Sequence, residues 1–67
     1  MNLSNENAAS LGRMLASAFT RSRSLAERRG VLSVREHLLH GLDHNAYHVL
    51  SDAMWNRIRE TNREIDQ

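Results

Sequence analysis

Apolar residues along this chain recur at steps of three and four, and nowhere do they alternate with period two for long. An α-helix completes a turn in about 3.6 residues, so this spacing collects the apolar side chains on one side of a helix and excludes a sheet of half-buried strands. The first stretch carries Ala8, Leu11, Leu15, Ala18, Ser22 and Leu25 on one face, flanked by Met14, Phe19 and Ala26. Ser4 or Asn5 stands where a helix cap belongs, and Glu6 suits the positive end of the helix dipole. Arg28 and Arg29 followed by Gly30 form a stop signal. Together these predict a first helix over about 5–29.

The second start rests on Ser33 and Glu36, which fit a capping box: the hydroxyl accepts from the Glu36 amide and the carboxylate accepts from the Ser33 amide. Leu38 and Leu39 follow, and Gly41 is suited to the left-handed conformation that ends a helix. Leu42 then takes the apolar position of a Schellman motif against Leu38, and Asp43 stands as the next cap. Leu42 and Tyr47 hold the two positions of a hydrophobic staple. A second helix is thus expected over 33–41 and a third over 44–65.

The inner stripe of the third helix is Tyr47, Leu50, Met54, Ile58, Thr61 and Ile65, with Ala46 and Ala53 beside it. Arg57, Arg59, Glu60, Arg63 and Glu64 cover its wet side, with Glu60 and Arg63 spaced to pair. A rival reading follows from the apolar phase, which continues through Gly41 without a slip. It gives one helix over 33–65 and a two-helix hairpin. The independent capping signals favour three helices, so the expected class is a small all-α bundle.

At 67 residues the chain is one domain, 1–67, with 1–4 and 66–67 expected as flexible ends. A domain this small buries only about 60% of its extended surface. It has no Cys, so neither a disulfide nor a thiolate metal site reinforces the core. Completion by a second copy or by a partner is therefore expected. The start is polar and the longest apolar runs are two or three residues, which points to no signal peptide, no membrane span and a cytoplasmic protein. All nine basic residues are Arg. GC-rich bacterial or phage coding accounts for that, as does a surface that needs planar cations with several donors.

Four histidines, His37, His40, His44 and His48, follow at steps of three, four and four. His44 and His48 share the i, i+4 spacing that lets two imidazoles hold Zn, and Asp52 lies four residues further on. No Glu stands as a catalytic base beside them, and no other cofactor is expected. The same row is a candidate pH-responsive face, since clustered imidazoles repel one another when charged. Trp55 lies seven residues after His48, where it serves either as an exposed anchor or as the edge of a small core.

The charge is divided. Residues 1–30 hold five Arg and two acids, a net +3, and residues 31–67 hold four Arg and six acids, a net −2. Arg21, Arg23, Arg28 and Arg29 cluster at the end of the expected first helix, which suits its dipole and also forms a candidate phosphate-binding patch. A helix-turn-helix register with Gly41 in the turn places His37 at a small position and His40 at an apolar one, and its recognition helix would expose acids and histidines. Ala8, Ala18 and Ser22, with Gly12 at the edge, make a seam of small residues for close helix packing, within one chain or between two.

No Cys nucleophile, Gly-rich phosphate loop or carboxylate pair in a cleft is legible, so no enzyme is expected. The favoured reading is a small interaction protein that regulates, adapts or inhibits a larger protein. Its contact face would be Trp55, His48, Tyr47 and Arg59, with Arg21, Arg23 and Arg28 as a second surface. The alternatives are an Arg-mediated nucleic-acid binder and a metal- or pH-responsive helical protein built on His44 and His48.

Overall fold

The computed structural model describes residues 3–66, with side chains through Arg63. Three helices make up the fold: α1 (Asn5–Thr20), α2 (Leu25–Gly41) and α3 (His44–Asp66). The all-α bundle expected from the apolar spacing is what forms. Among the described residues there is no strand, and no helix is long and apolar enough to cross a membrane. The expectation of a flexible start at Met1 and Asn2 and a flexible end at Gln67 lies outside the described residues. Leu3 packs against the core and Ser4 caps α1, so the described half of 1–4 is held in place.

The core is the seam between α1 and α3. These helices run parallel: Asn45 donates to Asn5 across their N-terminal ends at 2.9 Å, Gly12 lies against Leu50, and Phe19 reaches Trp55. Ala8, Leu15 and Ala16 of α1 meet Ala46, Leu50, Met54 and Ile58 of α3. Gly12 lets them approach closely, since a Cβ built on it would stand 2.2 Å from the Leu50 carbonyl oxygen. Interaxial distance is set by the side chains at the crossing, and small ones bring backbones together. The seam of small residues is therefore Ala8, Gly12 and Ala16, not Ala8, Ala18 and Ser22; Ala18 is exposed. The inner stripe of α3 falls where its spacing places it, with Tyr47, Ala53 and Thr61 half-buried at its margins. Ile65 lies beyond the described side chains.

The helix expected over 5–29 ends nine residues early, at Thr20. Two local devices break it. The Ser22 hydroxyl donates to the Ala18 carbonyl at 2.8 Å, and the Ser24 hydroxyl accepts from the Glu27 amide at 3.2 Å, capping α2. Glu27 reaches back to accept from the Arg23 amide, so a shifted capping box forms over 23–27, with its carboxylate on the residue ahead of the cap. The one expected at Ser33 and Glu36 does not form, because Ser33 is already inside α2 and its carbonyl contacts His37 Nδ1 at 3.0 Å. Gly30 likewise stops nothing. It sits in α2 with helical backbone and open space where a Cβ would go, at a cost of about 1 kcal/mol relative to Ala.

The break at 41–43 does form, which overturns the continuous helix over 33–65 and with it the two-helix hairpin. Gly41 does not use the left-handed conformation, however. The chain leaves the helix through an extended Leu42 whose amide donates to the Leu38 carbonyl at 2.9 Å. Asp43 then caps α3 as expected, its carboxylate accepting from the Ala46 amide at 2.7 Å.

Candidate interaction surface

α2 is the return segment between two parallel helices, and it lies on one side of their seam. Val31, Leu32 and Leu38 hold it there against the margin of the core, together with an alternation of cations and rings. The Arg28 guanidinium lies 5.6 Å from the Phe19 ring centre, Phe19 meets Trp55 edge-on at 6.0 Å, and the Arg35 guanidinium lies 5.6 Å from the Trp55 ring centre. Arg–aromatic contacts of this kind contribute about 0.5–1 kcal/mol at exposed sites and more where water is excluded. Arg35 is further tied to α3 by a bond to the Ser51 hydroxyl at 3.4 Å, and its Nε is buried without a hydrogen-bond partner. Its side chain is only 19% exposed, against 55% for Glu36, with which it pairs at 3.2 Å.

Trp55 thus has two roles. One part of its ring closes the α2–α3 contact, and the residue is still 36% exposed. His44, His48, Trp55 and Arg59 share the outer face of α3, at steps of four, seven and four. His44 and His48 touch through their Nε2 atoms at 3.1 Å, with the rings perpendicular. Two donors so placed could share one cation, but no third His, Cys, Asp or Glu forms a group with them among the described residues. His37 is turned to its own helix and His40 lies in the last turn of α2. Tyr47 is half-buried, its ring 6.4 Å from His48, and so stands at the margin of this face. Arg59 is exposed and donates to Asn56.

The Arg cluster divides. Because α1 ends at Thr20, Arg28 and Arg29 belong to the first turns of α2, not to the end of α1, so the helix dipole does not explain them. Arg28 joins the Trp55 ladder. Arg21 caps α1, donates from Nε to the Ser17 carbonyl at 3.2 Å, and lines a shallow groove on the α1–α3 seam with Arg57, Ser17, Thr20 and Thr61. Arg57 also lines a second shallow cleft, with Arg13 and Glu60. Glu60 pairs there with Arg57 at 3.6 Å, in place of the pairing with Arg63 that its spacing suggested. Arg23 is exposed on the α1–α2 connection.

Comparison with protein-family models, with curated proteins and with solved structures finds no match to this chain. The surface must be read from its own chemistry.

Sequence reasoning missed Arg35, Phe19 and Arg13 as surface-forming residues. Arg35 was open to discovery. It stands four residues after Val31 and three before Leu38, both half-buried on α2, so helical spacing places it on the inward side. An inward Arg needs a ring or an acceptor, and Trp55 and Ser51 supply both.

Proposed function

We propose that this protein is a small non-catalytic interaction module that regulates, adapts or inhibits a larger protein by surface binding, through the face that carries Trp55. The observation that supports this reading is the setting of Trp55. It is a large ring fixed between Phe19 and Arg35, yet 36% exposed. A ring already immobilised loses little entropy on binding, and Trp with neighbouring Arg is the commonest composition of an interface hot spot. A cleft floored by Phe19 and Ile58 and edged by Arg28, Thr61 and Asn62 opens beside the ladder, so an apolar group with an acidic neighbour is the complementary ligand. His48 and Arg59 extend the face along α3, and Tyr47 borders it.

Trp55 is the only Trp, so its fluorescence reports on this face alone. Immobilised protein is expected to retain a specific partner, to lose it on Trp55→Ala, and to weaken on Arg59→Ala. Addition of that partner should shift the Trp emission to shorter wavelength. Retention that survives Trp55→Ala in a folded variant would remove this face from the reading.

A second reading, nucleic-acid binding, is favoured by one observation: Arg21 and Arg57 line one shallow groove with three hydroxyl side chains, and Arg57 also lines a second cleft with Arg13. It predicts affinity for DNA or RNA that falls steeply with salt and drops on Arg21→Ala or Arg57→Ala. A salt-independent signal rejects it. The His44–His48 contact supports the third reading no further than a two-donor pair; a Zn-dependent rise in melting temperature lost in His44→Ala is its test.

A further inference from the structure

We propose that α2 pairs antiparallel with α2 of a second copy of this chain, along Leu25, Leu32 and Leu39, with Arg29 of each copy facing Glu36 of the other. No residue of α2 is buried, although it is 17 residues long and carries more large apolar side chains than α1. Val31, Leu32, Leu38 and Leu42 lean on the core from the margin, and Leu32 keeps only part of its side chain in water. Leu25, 63% exposed, and Leu39, 38% exposed, do not pack against the core. With the half-buried Leu32 they stand seven residues apart, and a seven-residue repeat drifts only about 20° per step around a straight helix. They form a line along a helix about 25 Å long, the arrangement that two helices use to interdigitate.

Charge identifies the occupant. Arg29 and Glu36 alternate with the three leucines at steps of four and three, on the same flank of the line. A two-fold axis at Leu32 sets Leu25 against Leu39 and Leu32 against itself. Arg29 lies three residues before that axis and Glu36 four residues after it. In an antiparallel pair they therefore meet across the contact, offset by one residue's rise of about 1.5 Å, and symmetry makes the pair twice. In a parallel pair the two-fold axis puts this flank on opposite sides of the contact in the two copies, so Arg29 and Glu36 would not meet. Arg29 has no hydrogen-bond or ion-pair partner within the chain among the described residues, so it is available for this role. The contact lies on α2 and does not use the exposed part of Trp55, so its failure leaves the Trp55 reading standing.

Sedimentation equilibrium of the full chain tests it. The expected result is reversible association to twice the 7.7 kDa chain mass. Leu25→Arg and Leu39→Glu, both at solvent-exposed sites, should shift the chain to monomer with an unchanged circular dichroism spectrum. Arg29→Glu alone and Glu36→Arg alone should each raise the dimer Kd about tenfold, and combining them should restore it to within about twofold. The chain has no native Cys, so direction can be read by disulfide formation. Leu25→Cys mixed with Leu39→Cys should cross-link, and neither should cross-link well alone. A chain that stays monomeric up to millimolar concentration overturns the proposal. So does a dimer indifferent to these four substitutions, or one in which Leu25→Cys links chiefly to itself.

Discussion

α1 and α2 are almost the same length, 16 and 17 residues, and both begin with a serine cap and an acid in the first turn. Their fates differ. α1 buries Ala8, Gly12, Leu15 and Ala16 against α3, and α2 buries nothing. The difference lies in side-chain size along one face. Ala, Gly and Ala at steps of four let α1 approach α3 until backbone meets side chain, and the apolar contact is then made by the whole helix surface. On α2, Val31, Leu32 and Leu38 reach the core only at its margin, and Arg28 and Arg35 add contacts with Phe19 and Trp55. Helical form is thus common to both, but only α1 gains stability chiefly from packing, the usual source for helices of this length.

The largest test of that contrast is Leu50→Ala. Leu50 is fully buried at the centre of the seam, so the substitution is expected to cost about 2–5 kcal/mol in urea denaturation. For a chain of this size that is much of the total. Gly12→Ala comes next, with an expected loss of about 1–3 kcal/mol in the same measurement, because the new methyl has nowhere to go against the Leu50 carbonyl. If Gly12→Ala instead stabilised the protein, the close approach of α1 to α3 would be wrong. Asp43→Ala removes the cap of α3 and should cost about 1 kcal/mol.

The sharpest contrast is the smallest effect. Gly30 on α2 has helical backbone and nothing within 4 Å of a new Cβ, so Gly30→Ala should stabilise by up to about 1 kcal/mol. The same chemical change is therefore expected to have opposite signs on the two helices. Amide hydrogen exchange should agree, with α2 losing protection before α1 and α3, and Arg35→Ala should widen that gap by releasing α2 from Trp55 and Ser51.

Much of this was legible in the sequence, and the misses share a cause. The apolar spacing after Asp43 located α3 and its buried stripe, because that helix packs along one continuous face. The same spacing misled over residues 5–29, where two helices happen to keep phase across 21–24. The start of α2 carries its own local signal, Ser24 with Glu27 three residues on, whereas Gly30 tolerates a helix stop without requiring one. On the surface, the Trp55 and Arg28 groups were read as separate. They are joined through Phe19, a contact between α1, α2 and α3 that no spacing along one helix reveals.

The sequence by itself determined the class: period and caps are local, and local hydrogen bonds and side-chain spacing suffice to make three helices and the break at 41–43. The tertiary structure alone decided which helices share the core. That choice depends on how closely two backbones can approach, and it was made by the three small residues Ala8, Gly12 and Ala16, which leave α2 at the margin of the core with no buried residue.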